Sequence, residues 1–546
     1  MIVEIIVFLI TALLVYFLYL YKWVHHYFDK RGVKYLPGVP IFGNILKSTF
    51  LKNHFIDDLD TLYRAFPDEK YVGYIDGTAP ILLIRDRELM KAITIKDFDH
   101  FVDHKEFFPE EIEPLLGGSL PMMKGDKWHD MRTTLSPAFT GSKMRKMLPF
   151  MTEISANIVN HLKNRIGEDI DVEDLIRRYT NDVIASAAFG LQVDSVRDKD
   201  NKFYKTGQHL FNFTGWQRFM FFFTAIFPSL SKNLGVNIFP AKTMDFFNQL
   251  VATTMEDREK NNKERPDMIQ LLMEASKGAL KDDTDASDDM TLAGDTFKPK
   301  AVQRQWTKSE LAGQVLIFFK AGYESSATAL VMTLHELTIN PDVQEKLYQE
   351  IRSFKEKHGE LTYDNLSALK YLDCVICETQ RKWAAALIMD RVCTKPYELP
   401  PPREGGKPVQ LNKGDVVYNL VNSVHMDEQY HPDPTKFEPD RFSEENKHNI
   451  KPFTYMPFGM GPRICIVRAG AHDALRRRAA PDLQPPRRGG EGGMRCDVGA
   501  APLCCFINIL SNAATAPLRH NNVAAPYCSC AKSLRCGAAT HRVPPV

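Results

Sequence analysis

The 546-residue chain lacks the features of several large protein classes. Its formal net charge is +1, and a chain without excess positive charge offers no electrostatic footprint for nucleic acid. Neither a phosphate-binding P-loop nor a dinucleotide-binding G-x-G-x-x-G pattern occurs in it. We therefore expect no nucleic-acid partner, and any flavin or nicotinamide chemistry has to come from another protein.

Cysteine is scarce over most of the chain. Only four of the ten cysteines precede residue 466, which is too few for a disulfide framework over that length. This usage is typical of a domain that faces a reducing compartment. Cys374 and Cys377 lie at helical spacing among apolar residues, so we expect core thiols there rather than metal ligands.

Residues 1–22 are predicted to form a transmembrane anchor. Residues 5–21 are a nearly unbroken apolar run, at the short end of the length that spans a bilayer. Basic residues follow the run and place the next domain on the cytosolic side. A cleaved signal peptide is the alternative, although the run has no basic start and no small-residue cleavage site. Residues 23–49 contain Pro37 and Pro40 and are predicted to be a stiff hinge.

Residues 50–465 are predicted to form a single large domain that is mainly α with a small β region. Helical periodicity is found at residues 55–65, 144–166, 172–189, 241–261, 308–339, 343–358 and 365–383. Strand-like runs are found at residues 71–75, 79–85 and 416–420. Residues 281–300 are rich in Asp, Ser and Thr and are predicted to be an exposed loop within this domain.

An aromatic segment covers residues 211–227, with eight Phe or Trp side chains in 17 residues. One interpretation is a buried helix pair. The other is a membrane-facing rim or the roof of an apolar pocket.

The most informative segment is the cysteine loop, residues 458–465, which reads Phe-Gly-Met-Gly-Pro-Arg-Ile-Cys. Its two glycines let the backbone turn sharply and approach a flat cofactor closely. Cys465 ends the loop, and a cysteine thiolate is the axial haem ligand that favours O–O cleavage. Arg463 is suited to pair with a carboxylate on the edge of the cofactor. A buried cysteine beside a turn is the alternative.

A second pattern combines one acid with two arginines. Glu378 and Arg381 lie three residues apart on one helix face, where they can pair. Arg441 lies in a proline-bounded loop shortly before the cysteine and offers a second cation to the same glutamate. A buried network of this kind would fix the cysteine loop.

Two more patterns are ambiguous when each is taken alone. Glu324 and Ser325 follow Gly322 in a long apolar helix, where an acid–alcohol pair suits proton delivery to activated oxygen. The alternative is a serine bonded back to the preceding turn, beside an exposed glutamate. Trp128 and Arg132 lie four residues apart and can hydrogen-bond the propionates of a haem. The alternative is a core tryptophan with a surface arginine.

Taken together and in this order, the four patterns resemble the haem-thiolate monooxygenases, the cytochrome P450 family. The resemblance covers residues 1–465, and finer stretches such as residues 390–397 are similar to insect microsomal members linked to detoxification. It implies the cytochrome P450 fold and the cofactor heme b (iron protoporphyrin IX). It implies that Cys465 binds the iron and that the haem is held by Trp128, Arg132, Arg391, Phe458, Gly461 and Arg463. It assigns oxygen activation to Glu324 and Ser325, and a structural charge network to Glu378, Arg381 and Arg441.

The resemblance also implies an activity and partners. The activity is insertion of one atom of O₂ into a small apolar substrate, either a xenobiotic or an endogenous lipophile. Electrons come from NADPH through NADPH–cytochrome P450 reductase, with cytochrome b5 as a second candidate partner. The implied location is the endoplasmic reticulum membrane, with the catalytic domain cytosolic. A haem-thiolate isomerase or dehydratase that needs no reductase is an alternative.

The sequence departs from the family's pattern after Cys465. Val467 stands where the family has glycine, and the expected long amphipathic helix does not follow. Residues 466–546 hold ten arginines but one lysine, whereas lysine outnumbers arginine before them. Such a switch at one residue is typical of a reading-frame or exon change, so this aberrant tail is predicted to be unstructured. An inactive or impaired product that lacks the helix supporting the haem is therefore a further alternative.

Overall fold

The computed structural model describes residues 2–467 except residues 51, 140, 166–167, 277–304 and 360. The loop predicted at residues 281–300 lies outside the described residues. The predicted unstructured tail also lies outside them from residue 468 onwards.

Helices dominate this part of the chain, as the sequence predicts. The α-helices are α1 (Ile2–Arg31), α2 (Leu46–Thr49), α3 (Phe55–Ala65), α4 (Arg87–Lys91), α5 (Pro114–Gly117), α6 (Gly125–Leu135), α7 (Gly141–Lys163), α8 (Val172–Phe189), α9 (Lys202–Gln208), α10 (Gly215–Ile226), α11 (Pro228–Asn233), α12 (Ala241–Asn261), α13 (Met268–Ser276), α14 (Lys308–Ile339), α15 (Pro341–His358), α16 (Lys370–Lys382) and α17 (Val421–His425). A π-helix spans Ala92–Lys96, and short 3-10 helices span Phe98–His100, Ser136–Phe139, Leu366–Ala368, Pro439–Phe442 and Lys447–Asn449.

Two sheets form the small β region of the described residues. The strands are β1 (Tyr71–Asp76), β2 (Ala79–Ile84), β3 (Ile388–Val392), β4 (Tyr397–Leu399), β5 (Val409–Leu411) and β6 (Val416–Leu420). Four of them pair in the order β1-β2-β6-β3, where β2 and β6 are parallel and the other neighbours antiparallel. Strands β4 and β5 form a separate antiparallel pair. The mainly helical fold with a small β region is thus confirmed.

Local sequence explains where the longest helix begins and why it is buried. Thr307 caps α14 by accepting the Glu310 amide, while the Glu310 side chain accepts the Thr307 amide, a reciprocal capping box. One helical turn after another then contributes buried apolar residues such as Leu311, Val315 and Phe319. Because α14 crosses the helical core and packs closely on α8, it can present side chains to an interior site.

The sheet and the helices have separate apolar cores, and the cysteine loop lies between them. The helical core includes Trp128 and is contacted by Ile466. The sheet core includes Met456 and Met460, which lie immediately before and within the loop. The loop is therefore positioned by both halves of the domain.

Helix α1 extends further than the predicted anchor. It runs to Arg31, so the predicted boundary between anchor and hinge at residue 22 falls inside one helix. Val24 and Phe28, near its end, are buried in the sheet core, whereas its first half is largely exposed and apolar. By length and composition alone α1 is long and apolar enough to cross a membrane, and so is α14, which is a partly buried core helix.

Candidate active site

The cysteine loop is closed by its own backbone. The Cys465 amide donates to the Phe458 carbonyl at 2.9 Å, and the Ile464 amide donates to the Gly461 carbonyl at 3.0 Å. Gly459 and Gly461 have φ angles of 77° and 73°, a left-handed conformation that glycine adopts without strain. These bonds place Cys465 at the end of the loop as a free, exposed thiol.

Gly461 also meets a steric requirement that the sequence does not reveal. A methyl group at this position would overlap the carbonyl oxygen of Thr94. Thr94 belongs to the π-helix, so the loop is pressed against a backbone element of the sheet half of the domain. Both conformation and space therefore demand glycine at position 461.

Arg463 is buried at the base of the loop, with its side chain 2% exposed. Its guanidinium donates to the carbonyls of Val102 and Met123, both at 2.8 Å. The same group lies 4.0 Å from the centre of the Trp128 ring, close enough for a cation–π contact. Arg463 and Trp128, predicted separately, are therefore in direct contact.

Arg391 on β3 is buried beside the loop and is incompletely paired. It donates to the Asp390 carbonyl at 2.6 Å and to the Met460 carbonyl at 3.1 Å. Its Nε is buried without a hydrogen-bond partner among the described residues. Burial lowers the pKa of Arg391 to about 10. An orphaned N–H on a buried cation is costly, and an anion would satisfy it.

The arginines form a cationic cluster. Burial, with the positive charge of Arg391 next in size, holds the pKa of Arg463 well below its usual range, and Arg132 acts in the same direction. Asp103 lies 3.5 Å from Arg463. Asp390 is already engaged by the His104 ring at 2.9 Å and by the Lys105 amide at 2.5 Å. Arg132, Arg391 and Arg463 thus lie near one another in a region that also holds Asp103 and Asp390.

A haem fits this cluster chemically. It carries two propionates, and buried guanidiniums with an unsatisfied donor are suited to carboxylates. Trp128 adds an indole N–H that can donate, and Cys465 supplies the sulfur. The donors predicted from sequence for the propionates, Trp128, Arg132, Arg391 and Arg463, form one group in space with the ligand loop beside them.

The acid–alcohol pair lies on α14, and each member has a partner. Glu324 forms two hydrogen bonds with Arg177 of α8, at 2.8 and 3.0 Å, and its side chain remains 36% exposed. Ser325 donates its hydroxyl to the Ala321 carbonyl at 2.6 Å. The serine geometry matches the alternative interpretation of a hydroxyl bonded back to the preceding turn. The glutamate is paired rather than simply exposed, because Arg177 reaches it from another helix.

Gly322, which precedes this pair, lies against α8. A methyl group on it would lie 3.0 Å from the Ile184 side chain of α8, so this glycine allows close helix packing. The small residue on the same exposed face of the helix as Ser325 is Ala321, one turn earlier.

The predicted charge network is assembled around Glu378. Arg381 donates to both carboxylate oxygens at 2.7 and 2.8 Å, and Arg441 reaches one of them at 3.4 Å. Arg381 also donates to the carbonyls of His425 and Pro434, each at 2.8 Å. The network therefore ties α16 to the loop that precedes the cysteine.

Sequence reasoning missed several residues of this region. Arg177 pairs with Glu324, His104 holds Asp390, and His425 contacts both Arg381 and Met456. Each pairs with a residue at least 30 positions away, so the spacing of neighbouring residues could not predict these contacts. His425 alone had a local cue, because it lies between a predicted strand and the proline-bounded loop.

Comparisons with known proteins agree with this geometry. The family model described as "Cytochrome P450" matches residues 33–469. The chain is 39% identical over 462 residues to "Cytochrome P450 9e2" of Blattella germanica, covering 81% of this chain and 84% of that protein. It is 41% identical over 465 residues to "Probable cytochrome P450 9f2" of Drosophila melanogaster, covering 82% and 86%. It is 33% identical over 460 residues to "Cytochrome P450 6k1" of Blattella germanica, covering 84% and 86%.

Proposed function

Because the chain belongs to the cytochrome P450 family, whose members are haem-thiolate monooxygenases, we propose that it inserts one atom of O₂ into small apolar substrates. The family implies haem, O₂, a substrate and electrons from a redox partner. We further propose that the electrons come from NADPH through NADPH–cytochrome P450 reductase, with cytochrome b5 as an auxiliary donor. The observation that carries the proposal is the buried arginine cluster next to the cysteine loop.

The site residues divide the work of holding the cofactor. Cys465 binds the iron, while Trp128, Arg132, Arg391 and Arg463 hold the propionates. A haem bound there supplies the oxygen-activating iron. The unpaired Nε of Arg391 and the depressed pKa of both buried arginines support this assignment, since carboxylates would satisfy the donor and neutralise the cluster.

Ser325 and Glu324 handle protons in this proposal. The Ser325 hydroxyl keeps its proton on Oγ and donates it to the Ala321 carbonyl, from which a change of χ1 redirects it. Glu324 is one residue away and partly exposed, so its carboxylate can exchange protons with solvent. Arg177 orients that carboxylate through two hydrogen bonds. In this proposal protons pass from solvent to Glu324 and then to Ser325, and S325A would remove the hydroxyl that donates at the end of that sequence.

We infer an apolar substrate from the aromatic composition of the 211–227 segment. Phe213 and Phe221 contact Phe239 and Phe108 respectively, with ring centres 5.5 and 5.9 Å apart. In contrast, Trp216 and Phe219 are 67% and 55% exposed. One face of the segment is therefore packed and the other faces outward, and we propose that the outward face is the membrane-facing rim.

Attachment to the endoplasmic reticulum membrane completes the proposal. Residues 1–22 act as the anchor, residues 23–49 connect it, residues 50–465 form the cytosolic haem domain, and residues 466–546 are an aberrant tail. The ring of Phe17 in α1 lies 6.4 Å from that of Phe227, so the apolar helix and the exposed aromatic segment are neighbours. A shared membrane-facing side is consistent with both.

The test is to express the full chain in microsomes together with a reductase and to record the reduced carbon-monoxide difference spectrum. The proposal predicts a thiolate-type Soret band that is lost in C465A, and substrate oxidation that needs both NADPH and O₂. Product formation from a hydroperoxide without NADPH would favour the reductase-independent isomerase or dehydratase instead.

An inactive product is the second candidate, and a specific observation favours it. The family match ends at residue 469, and Val467 replaces the family's glycine just after the ligand. A chain that folds but gives no thiolate-type band would establish this candidate. Restoring a glycine and the family's helix after Cys465 would then be expected to restore the band.

A further inference from the structure

His425 connects the buried charge network to the cysteine loop. Its side chain lies at the end of α17 and is completely buried. Nδ1 lies 3.2 Å from the Arg381 carbonyl oxygen, and Nε2 accepts the Met456 amide proton at 2.9 Å. A carbonyl can only accept and an amide can only donate, so the ring carries its proton on Nδ1.

The two ends of this bridge belong to the two parts of the predicted site. At one end, Arg381 returns the contact by donating its Nη1 to the His425 carbonyl at 2.8 Å. At the other end, the Met456 carbonyl accepts the amide of Gly459 at 3.1 Å. Gly459 is the second residue of the cysteine loop, whose two ends are joined by the hydrogen bond from the Cys465 amide to the Phe458 carbonyl. A continuous series of hydrogen bonds therefore runs from Glu378 to the cysteine loop through His425.

Neighbouring contacts hold the residues before Met456 without reaching the loop. Tyr455 stacks on the His425 ring at 5.4 Å and donates its hydroxyl to the Cys377 carbonyl at 3.1 Å. The His431 ring lies 3.0 Å from the Thr454 carbonyl. His425 differs from these because the residue that it holds is itself bonded to the first glycine of the loop.

The charge state of the ring suits this task. Burial, followed by the proximity of His431 and the Arg381 cation, holds the pKa of His425 well below its usual value, although the carbonyls of Arg381 and Gln380 act in the opposite direction. The ring is therefore neutral at physiological pH, and Nε2 keeps the lone pair that the Met456 amide requires.

We propose that His425 is a positioning residue for the Cys465 thiolate, acting by holding Met456 and hence the left-handed turn at Gly459. Its effect on the haem spectrum rests on the proposed ligation by Cys465. Its effect on the conformation of the loop does not, so the two can be separated experimentally.

The variants are chosen to test the contact of each ring nitrogen separately, that of Nδ1 with Arg381 and that of Nε2 with Met456. In H425Q the carboxamide can reach the Nε2 position and accept the Met456 amide. H425N is shorter and can retain only the contact with Arg381, while H425F retains neither. T379V is the matched control. Thr379 lies on α16 and is buried like His425, but its side chain hydrogen-bonds Val375 and Thr333 rather than the loop.

The first measurement is hydrogen–deuterium exchange of the full chain in detergent, with and without added hemin. H425N and H425F are expected to speed exchange at Met456, Gly459 and Cys465 by about 10-fold, the loss of one buried hydrogen bond. In H425Q the exchange rates at these residues are expected to stay within about 3-fold of the parent. In T379V the ratio of the exchange rate in the loop to that in α8 is expected to equal the ratio in the parent. The proposal is overturned if H425N and H425F leave loop exchange unchanged, or if H425Q opens the loop as much as they do.

The second measurement is the reduced carbon-monoxide spectrum of the same variants. The thiolate-type fraction is expected to fall in H425N and H425F and to be recovered in H425Q. Where the parent gives a thiolate-type band, faster loop exchange without any change in that band would support loop positioning and contradict Cys465 as the iron ligand. A normal spectrum together with unchanged exchange in H425N and H425F would overturn the positioning role and leave the proposed function intact.

Discussion

Arg381 donates two hydrogen bonds to the carboxylate of Glu378, at 2.7 and 2.8 Å, and neither side chain is exposed to solvent. A buried pair of this kind gives little net stability relative to an apolar pair, but removing one charge leaves the other uncompensated. Here the consequence is larger, since the same carboxylate also receives Arg441 and the Glu438 amide.

Replacing Glu378 by glutamine should therefore destabilise the domain by roughly 3–5 kcal/mol, because the shape is kept while two arginines lose their anion. The free energy of unfolding in guanidinium, measured on detergent-solubilised protein, checks this. K346A is the control: Lys346 pairs with Asp440 at the surface, where both side chains are about half exposed, and its loss should cost less than about 1 kcal/mol. Equal costs for the two variants would contradict the role of Glu378.

Replacing Arg391 should matter little in the haem-free protein and much more in the haem-bound protein. Without a propionate, R391M removes a buried cation with an unsatisfied Nε but also its bonds to the Asp390 and Met460 carbonyls. The two effects offset each other, so the free energy of unfolding should stay within about 1 kcal/mol of the parent. With haem, the variant loses a carboxylate partner, and transfer of haem to apomyoglobin should become about 10-fold faster or more.

R85M is a control for that experiment. Among the described residues Arg85 also has a buried, unpaired Nε, but it donates to the carbonyls of Phe66, Pro67 and Glu69, none of which belongs to the cysteine loop. Its replacement should lower stability and leave the rate of haem transfer unchanged. Haem transfer at the parental rate in R391M would rule out a propionate at Arg391.

Gly461 in the cysteine loop and Gly405 outside it form a pair that separates the effect of backbone conformation from the effect of space. Gly461 and Gly405 have the same φ of 73°, but only a methyl group at Gly461 meets a neighbour, the Thr94 carbonyl; at Gly405 nothing lies within 4 Å. G405A should cost about 1 kcal/mol, the strain of a left-handed alanine. G461A should cost several times more and abolish the thiolate-type spectrum. Similar unfolding midpoints for the two variants would contradict the close packing of the loop on Thr94.

Much of the fold followed from the sequence because its helices carry strong periodicity and caps. The bounds predicted for α3, α8, α12 and α14 agree with the structure, as do those of β6. The segment predicted as one helix at 365–383 begins later, because Leu366–Ala368 forms a separate 3-10 helix. The predicted helix at 144–166 begins three residues earlier, at Gly141.

The site was less predictable, for a physical reason. The spacings within the chain predicted the pairing of Glu378 with Arg381, which lie three residues apart and are hydrogen-bonded. They also point to Cys465 as the iron ligand, which stays a prediction. They could not reveal that Arg177 reaches Glu324 from another helix, or that Gly322 faces Ile184. Such relations depend on how α8 and α14 pack, which periodicity does not specify.

His431 makes the stability of the domain depend on pH in a defined direction. Burial lowers its pKa from 6.5 to about 4, so between these values the unfolded chain binds the proton and the folded chain does not. Stability therefore rises with pH through this window and is lost as the pH falls below about 6.5. The loss should be about 1.4 kcal/mol per pH unit and roughly 3 kcal/mol in total for this histidine.

The measurement is a series of guanidinium unfolding curves from pH 7.5 to 5. H431F cannot be protonated, so its free energy of unfolding should start lower, because the bond to the Thr454 carbonyl is lost, and should then fall less steeply with acidification. A residual slope is expected from His425, whose pKa is also lowered by burial. Parallel curves for H431F and the parent would mean that His431 is not held neutral by the fold, and that the residues just before the cysteine loop are more hydrated than their burial indicates.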